Sequence, residues 1–273
     1  MKNSFLIVLL LVAACGGTDF KKVEKLDQFR ILAVVTTNPE VVPGAGVTLQ
    51  LYVSDVAGGG RTISGTTMAC IDPGISLGAE VNCDHDPSAV ADTYDIDTTA
   101  GDMGSANLFT GLASDTLSVT VPVSILAGRT AREQINGMGY IVIFNFEVEG
   151  RTISIFKRII ASSKVTLNTN PSGSAILLNG IPIGNAPDDE DILRVTSNAP
   201  ESYDFINVDG DLETRTEELQ AAWFVTQGEV DKPKSDVNEN VKYLSNAATI
   251  PSVIVSIVRD ERGGVEIVRE VLP

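Results

Sequence analysis

The residues that could do chemistry in this chain gather around its only histidine. His85 stands in the run Cys83-Asp84-His85-Asp86, which combines a thiol, an imidazole and two carboxylates. Such side chains bind metal ions, but a structural zinc site typically uses two separated pairs of ligands, and no second pair with that spacing is present. We therefore do not expect a metal centre at this run, although it is the chain's most concentrated set of ligand-type residues.

Catalytic chemistry finds little support in the residue types. A Ser-His-Asp hydrolase would have to use His85, which lies in a predicted loop beside a cysteine. The chain has no Gly-x-x-x-x-Gly-Lys-Ser/Thr phosphate loop and no His-Glu-x-x-His zinc helix. Its 36 acidic residues make close carboxylate pairs inevitable, so such pairs indicate no active site. We predict that the protein is not an enzyme and needs no cofactor.

Calcium is the remaining inorganic ligand to consider. Asp209, Asp211 and Glu213 place hard carboxylate oxygens on one predicted loop, and residues 188–191 (DDED) do so on another. Neither run has the Asp-x-Asp/Asn-x-Asp/Asn-Gly pattern of a calcium loop. A solvated acidic turn is the favoured interpretation of both runs, and a structural calcium site at Asp209, Asp211 and Glu213 is the alternative.

The first 17 residues have the pattern of a secretory signal. Lys2 gives a positive start, and residues 5–14 form an almost unbroken apolar run. As a helix this run would be roughly 15 Å long, whereas the hydrocarbon core of a bilayer is about 30 Å thick. The run is thus too short to span a membrane and is typical of a signal peptide.

The run ends at a cysteine, in Leu11-Val12-Ala13-Ala14-Cys15, which resembles the lipobox of bacterial lipoproteins. In that family a peptidase cuts before the cysteine, whose sulfur then carries a diacylglycerol and whose new amino group is acylated. The resemblance implies lipidation of Cys15. Gly16 follows, where Asp would favour inner-membrane retention, so the resemblance also implies an outer-membrane location, facing the periplasm or the surface. An ordinary secretory signal that contains Cys15 is the alternative.

Charge and cysteine count constrain the exported body. Cleavage before Cys15 removes Lys2 and changes the formal net charge from −16 to about −17, which argues against nucleic acid as a partner. With Cys15 lipidated, Cys70 and Cys83 remain. In an oxidising compartment we expect them to form a disulfide, which stabilises a loop this short by roughly 3 kcal/mol.

Short alternating segments separated by turn residues predict an all-β fold. Residues 47–51 alternate apolar and polar side chains, as half-buried strands do. Segments 140–149 and 151–161 flank Gly150 and predict a hairpin, and Asn179-Gly180 predicts another turn. Only residues 217–222 have helical character, and residues 125–137 form either a loop or a short helical turn. Further strands are predicted at residues 116–124, 192–195, 203–207, 221–226, 252–259 and 265–271.

This pattern favours immunoglobulin-like β-sandwiches. We expect a cleaved signal peptide (1–14), a lipidated tether (15–27), and two β-sandwich domains (28–162 and 163–273). Trp223, the one tryptophan, is predicted to lie in the core of the second domain, and an exposed platform for sugar stacking is the alternative.

Short motifs in the two predicted domains resemble those of a known group of proteins. They are Ile31-Leu32-Ala33 with Asn38-Pro39-Glu40 and Pro43-Gly44, Glu218-Leu219 with Trp223-Phe224-Val225-Thr226 and Gly228, and Val258-Arg259-Asp260 with Arg262-Gly263-Gly264-Val265. Together they resemble uncharacterised surface lipoproteins of predatory and gliding proteobacteria, which are built of immunoglobulin-like domains. Residues 164–183 also resemble the PEGA repeat through Asn170-Pro171-Ser172-Gly173 and Asn179-Gly180, without its Gly-Thr-Thr-Pro ending. Neither resemblance implies catalytic residues.

The expected function is the display of a binding surface at the cell envelope. We predict a non-catalytic accessory subunit that is held by its lipid and bound to an envelope protein; a surface adhesin or glycan binder is the alternative. Two predicted long loops, residues 66–102 and 227–240, are the candidate binding surfaces, because loops on a rigid sandwich commonly carry recognition.

Overall fold

The computed structural model describes residues 22–58, 60–74, 81–99, 112–184, 187–244 and 252–272. Cys15 and the predicted signal peptide lie outside the described residues. The described chain is all-β, with one short helix, α1 (Ala131–Asn136), and one 3-10 turn at Val56–Gly58. None of its helices is long and apolar enough to cross a membrane.

Two antiparallel sheets pack face to face in the N-terminal half, residues 28–162. Its strands are β1 (Arg30–Thr36), β2 (Glu40–Val41), β3 (Gly46–Ser54), β4 (Thr62–Ile71), β5 (Val90–Asp97), β6 (Leu112–Thr120), β7 (Met138–Val148) and β8 (Arg151–Ala161). Sheet I has the order β2-β8-β7-β4-β5, in which β2 pairs parallel to β8, and sheet II has the order β1-β3-β6. Alternate residues of β3, such as Leu49 and Leu51, enter the core between the two sheets.

The C-terminal half, residues 163–273, repeats this arrangement. Its strands are β9 (Ala175–Leu178), β10 (Ile181–Pro182), β11 (Ile192–Thr196), β12 (Ser202–Ile206), β13 (Leu212–Thr216), β14 (Gln220–Val225), β15 (Glu229–Val230), β16 (Lys234–Asp236), β17 (Val241–Leu244), β18 (Ser252–Arg259) and β19 (Val265–Leu272). Sheet III has the order β16-β14-β18-β19, and sheet IV has the order β10-β9-β11-β17-β15. Strands β12 and β13 form a separate hairpin.

The four sheets stack in the order I, II, III, IV because a third core joins the halves. On β18, Ile254 and Val258 enter the core between sheets III and IV, whereas Val255 and Ile257 pack against sheet II. Leu32 of β1 belongs to this middle core. Strands buried on both faces explain why the sequence there is apolar without alternation.

Several sequence predictions are confirmed. Strands β7 and β8 form the predicted hairpin, and its turn residues, Glu149 and Gly150, both have positive φ, at 54° and 72°. Asn179 and Gly180 turn the chain between β9 and β10 with φ of 51° and 84°. Trp223 is fully buried in the core between sheets III and IV, where its indole N–H donates to Ser235 Oγ at 3.0 Å.

Two local predictions are wrong. Residues 217–222 are not helical, because β14 begins at Gln220 and alternates its side chains between two cores. Residues 66–102 are not one long loop, because they include the end of β4 and all of β5. Strand β5 lies at the edge of sheet I with Asp and Thr facing water, and only Tyr94 and Ile96 point into the core. Its polar composition therefore hid the strand.

Candidate functional site

The strand registers give the stack two distinguishable ends. The end that holds residues 22–27, which we call the strap, is the proximal end. Lys25 forms a parallel bridge with Val225 of β14, the Leu26 N–H donates to the Val225 carbonyl at 3.0 Å, and Leu26 is buried. The Val225 N–H in turn donates to the Glu24 carbonyl at 2.9 Å. The part of the predicted tether that the structure describes is thus bound to sheet III.

The opposite, distal end carries the one α-helix of the described chain. Sheet I contributes the end of β4 at Ile71, the end of β8 at Ala161 and the start of β7 at Met138. Helix α1 precedes β7. Its N-terminus is fixed by a capping box, in which the Thr130 side chain accepts from the Glu133 N–H and the Glu133 carboxylate accepts from the Thr130 N–H. A helix this short depends on such caps.

A cleft of about 540 Å³ opens at this distal end, between the loop that carries the disulfide and the link from α1 to β7. We call it the disulfide cleft. Its polar lining comes from Asp72, His85, Asp86 and Arg129. The predicted surface at residues 66–102 therefore contributes to a cavity, through the segment between β4 and β5.

The disulfide itself is confirmed. Cys70 and Cys83 are bonded and buried, and they pack with Ile141 and Ile143 on the outer face of sheet I. Cys70 is the penultimate residue of β4, so the bond ties the following loop to the sheet. The loop wall of the disulfide cleft is thereby held in place by the bond and by a small apolar cluster, in which Val81 and Ala89 of the loop pack against the cysteines and sheet I.

The acid and base groups of this cleft are already engaged in holding the loop. His85 Nε2 lies 3.1 Å from the Ile71 carbonyl oxygen. The Asp86 carboxylate accepts from the Ser88 hydroxyl at 2.6 Å and from the Ile71 N–H at 3.1 Å. These hydrogen bonds, that of Ser88 first, lower the pKa of Asp86. Both side chains therefore hold the loop against the backbone of Ile71, at the end of β4.

One serine pattern nearby corrects the expectation that the chain has no Gly-x-Ser-x-Gly elbow. Gly74-Ile75-Ser76-Leu77-Gly78 has the Gly-x-Ser-x-Gly spacing of a nucleophile elbow, and Gly74 lines the disulfide cleft with His85. The elbow of hydrolases joins a strand to a helix in an α/β sheet, whereas this segment follows β4 of an all-β fold. Ser76 lies outside the described residues, so the pattern remains a sequence match.

A second polar assembly at the distal end joins the two halves. The Glu40 carboxylate, from β2, lies 2.7 Å from Arg262 and 3.2 Å from Lys164. Burial acts to raise the pKa of Glu40. Hydrogen bonds from Ser162 and Asn168, together with the two cations, outweigh burial and hold this pKa below its ordinary value. The charged carboxylate is therefore the stable form in the folded protein.

Tyr203 of the hairpin lies beside this assembly and separates two cavities. Its ring is contacted by the Arg262 guanidinium at 4.3 Å and the Lys164 ammonium at 5.5 Å, and its hydroxyl donates to Glu261 at 2.8 Å. A cavity of about 280 Å³ lies on the side of Phe205. Another of about 310 Å³, which we call the edge cleft, lies on the side of Ser202 and Asp204.

The calcium candidates lie in the turn of this hairpin. The Asn207 side-chain oxygen accepts from the N–H groups of Asp209 and Asp211, so the turn is organised without a metal ion. Glu213 is paired with Arg215 at 3.0 Å, and it accepts from the Asn207 amide at 2.7 Å. Among the described residues, no group of three His, Cys, Asp or Glu is placed to hold a metal ion.

The second predicted surface, residues 227–240, is not a free loop. Strand β15 pairs with β17 of sheet IV, and β16 pairs with β14 of sheet III, so this segment crosses from one sheet edge to the other. Its start lies at the proximal end, where Glu229 forms ion pairs with Lys22 and Lys25 of the strap. It is therefore a less suitable recognition surface than the distal end.

Comparison with known proteins adds no family. No protein-family model matches the chain, and no curated protein matches it. Among solved structures, Escherichia coli alpha-2-macroglobulin activated by porcine elastase aligns over 93% of this chain and 22% of its own, at 10% identity and a TM-score of 0.27. This chain thus spans less than a quarter of that protein.

Two further structures align with similarly low scores. Spo0M, a sporulation control protein from Bacillus subtilis, aligns over 89% of this chain and 90% of its own, at 11% identity and a TM-score of 0.26. Dimeric latent PorU from Porphyromonas gingivalis aligns over 90% of this chain and 24% of its own, at 11% identity and a TM-score of 0.23. Likenesses this weak carry no conclusion about function.

Proposed function

We propose that this protein is a lipid-anchored, non-catalytic envelope protein that presents a binding surface, as an accessory subunit of an outer-membrane or cell-surface assembly. The lipid is attached at Cys15, and the partner is an envelope protein. No enzyme activity and no cofactor belong to this proposal. The body consists of two immunoglobulin-like sandwiches, residues 28–162 and 163–273, which correspond to the sheet pairs I–II and III–IV.

One observation carries the proposal: the strap and the clefts lie at opposite ends of the stack. Lys25 and Leu26 bind at the proximal end of β14, whereas the disulfide cleft and the edge cleft open at the distal end. The seven residues 15–21 could extend at most about 25 Å. An anchor at Cys15 would therefore keep the proximal end near the membrane and direct the clefts away from it.

The structure of the strap supports a fixed orientation and not a loose one. Lys22 and Lys25 are both paired with Glu229, and Arg30 donates to the carbonyls of Lys25 and Lys22 at 2.6 and 2.9 Å. These bonds join the strap to both halves of the chain. Because the C-terminal part of the tether is bound to the stack, anchoring its N-terminal end at the membrane orients the whole stack.

A surface adhesin or glycan binder is the second candidate. Tyr203 and Phe205 are partly exposed aromatic side chains at the distal cavities, next to Glu261 and Arg158. Aromatic rings with carboxylates and guanidinium groups around them are suited to sugars. Their faces are, however, already contacted by the cations of Arg262, Lys164 and Arg215.

A cross-linked pull-down from the parent cells tests the proposal. The chain would carry a C-terminal tag, be extracted in mild detergent, and be compared with Cys15→Ser. We expect the wild-type chain to incorporate a clickable palmitate and to retain one stoichiometric envelope protein, and Cys15→Ser to incorporate none. A wild-type chain without lipid, or without any partner, would contradict the proposal, and binding to a glycan array would then favour the second candidate.

A further inference from the structure

The hairpin β12–β13 is a two-stranded sheet, so the outer edge of β12 pairs with no other strand of the described chain. Asn207 donates to the Asp211 carbonyl at 2.9 Å and Glu217 to the Glu201 carbonyl at 3.0 Å. In an antiparallel ladder the hydrogen-bonded residues alternate. The N–H and C=O groups of the odd-numbered residues of β12 therefore point towards β13, and those of Ser202, Asp204 and Ile206 point the other way.

A side chain already occupies one position of this outer edge in the manner of a strand. The Asn136 amide of α1 donates to the Ile206 carbonyl at 2.7 Å, and its oxygen accepts from the Ile206 N–H at 2.8 Å. One amide donor and one amide acceptor thus meet the two backbone groups of a single residue, as a paired strand would. The outer edge of β12 is therefore positioned to bind peptide groups.

The edge cleft continues this edge beyond Asn136. Its volume of about 310 Å³ lies against Ser202 and Asp204, and its other wall is formed by residues 163–167 and Ile135. Two of the lining side chains are unusually exposed for their type, Val165 at 102% and Leu212 at 65%. The cleft thus combines peptide-binding groups with an apolar wall, the two elements that strand addition requires.

The charge around the edge selects the partner's side chains. Residues 199–216 contain Glu201, Asp204, Asp209, Asp211 and Glu213, against one cation, Arg215. The nearby cations are unsuited to binding an acidic partner, because Lys164 and Arg262 are about nine-tenths buried and are paired with Glu40. Glu201 is already engaged, because it accepts from the Thr169 hydroxyl and lies 3.8 Å from Arg262. A complementary segment would therefore carry Lys or Arg opposite Asp204.

We propose that the outer edge of β12 binds an extended segment of a partner protein by strand addition. The segment pairs its backbone with Ser202 and Asp204 and turns one face towards the edge cleft. On that face an aliphatic side chain packs against Val165 and Leu212, and a Lys or Arg two residues away lies opposite Asp204. This inference rests on the proposed function, because it describes the partner which that function requires. It differs from a sugar site in depending on backbone amides.

Peptide binding to the full-length chain in detergent micelles tests this directly. The probe is a fluorescent, acetylated nonapeptide of the repeat Lys-Thr-Val-Thr, which places Lys and Val on the same face of a strand. Its match is the same peptide with alternate backbone amides N-methylated. Binding is followed by fluorescence anisotropy. Because N-methylation keeps the charge and removes the N–H donors of one edge, we expect the Kd to rise at least tenfold. Equal binding of both peptides, or binding of neither, would overturn the inference.

Protein variants separate the edge from general electrostatic attraction. Leu212→Asp adds a negative charge but removes the apolar wall, so we expect at least tenfold weaker binding of the unmethylated peptide. Ile181→Asp, at a residue exposed to a similar degree (67%) on β10, is the control and should leave the Kd within twofold. Tighter binding by Leu212→Asp would show attraction by charge alone and overturn strand addition.

The pull-down distinguishes this inference from the proposed function. If Leu212→Asp retains both lipid and the stoichiometric partner, the result supports the lipid anchor and the partner but contradicts the edge site. If the wild-type chain has neither lipid nor partner, the proposed function is contradicted. The comparison of methylated and unmethylated peptide then still tests whether the edge of β12 binds a strand.

Discussion

Glu40 and Arg262 form an ion pair across the two halves of the chain. Their side chains are 2% and 10% exposed, and Arg262 Nη2 lies 2.7 Å from Glu40 Oε2. Glu40 also accepts from the Asn168 N–H at 2.8 Å. The depressed pKa of Glu40 indicates that its charged form is favoured in the folded protein. Removing that charge takes the paired carboxylate from the buried Lys164 and leaves Arg262 only Glu201 and Glu217, each 3.8 Å away.

We predict that Glu40→Gln lowers the free energy of unfolding by roughly 3–5 kcal/mol, as expected when one partner of a buried pair is removed. Urea unfolding at neutral pH measures this. Glu133→Gln is the control, since Glu133 pairs with Arg129 at 3.5 Å where both side chains are more than a third exposed. Its effect should be much smaller, because an exposed ion pair contributes little and Gln can still complete the capping box of α1. Equal losses for the two variants would contradict the account.

The charge of Lys157 predicts a pH dependence of stability. This lysine of β8 is 8% exposed and donates to the Gly263 carbonyl at 2.5 Å. Burial lowers its pKa from the ordinary 10.5 to about 8; Asp260 opposes this shift and Arg259 adds to it. Between those two values the unfolded chain binds more protons than the folded one, so stability should rise with pH across that window.

Lys157→Met should abolish that rise. Relative to the variant, the wild type should become more stable as the pH rises from the folded-state pKa of Lys157, about 8, to its ordinary 10.5. The gain in unfolding free energy is up to about 1.4 kcal/mol per pH unit. Urea midpoints at pH 7.5, 8.5 and 9.5 measure it. Parallel pH profiles for the two proteins would show that Lys157 keeps an ordinary pKa.

The disulfide should stabilise the protein through its short loop. Its cysteines are 13 residues apart, and replacing both by alanine should lower the unfolding free energy by about 3 kcal/mol in the chain-entropy model. Wild-type protein treated with dithiothreitol should show the same urea midpoint as the double variant. A double variant as stable as the oxidised wild type would contradict a structural role for the bond.

We predict no serine-hydrolase activity at the disulfide cleft. His85 is bonded to the Ile71 carbonyl, and Asp86 is occupied by Ser88 and the Ile71 N–H. A fluorophosphonate probe should therefore leave Ser76 unlabelled, as judged by mass spectrometry. Labelling of Ser76 that disappears in His85→Ala would reveal an activated serine and remove the non-catalytic interpretation.

Much of the fold could be predicted because local patterns decide it. The alternation in residues 47–51, the turn at Gly150 and the closing pair of apolar segments correspond to β3, the β7–β8 hairpin and β18–β19. Trp223 could be placed in a core since a single large apolar side chain in a strand is rarely left in water. Each of these predictions depends on residues close in sequence.

The functional end could not be predicted, because it depends on contacts distant in sequence. Asn136 and Ile206 are 70 residues apart and Glu40 and Arg262 are 222 apart. Neither pair has a local signal, and β5 was hidden by the Asp and Thr residues of an exposed edge. The sequence of the strap likewise predicts a tether, because Leu26 is its one buried apolar side chain and most of its other residues are charged.

The orientation of the stack on a membrane can be measured with a fluorescent residue at each of its two ends. Val56 lies at the proximal end and Val123 at the distal end of the same half, separated by the length of β3, roughly 30 Å. A fluorescent amino acid would replace either residue in the lipidated full-length chain, reconstituted in liposomes that carry a headgroup-attached quencher.

We predict strong quenching at Val56, weak quenching at Val123, and none at either position in Cys15→Ser. Quenching at Val123 equal to or stronger than that at Val56 would place the distal clefts against the membrane and contradict the account.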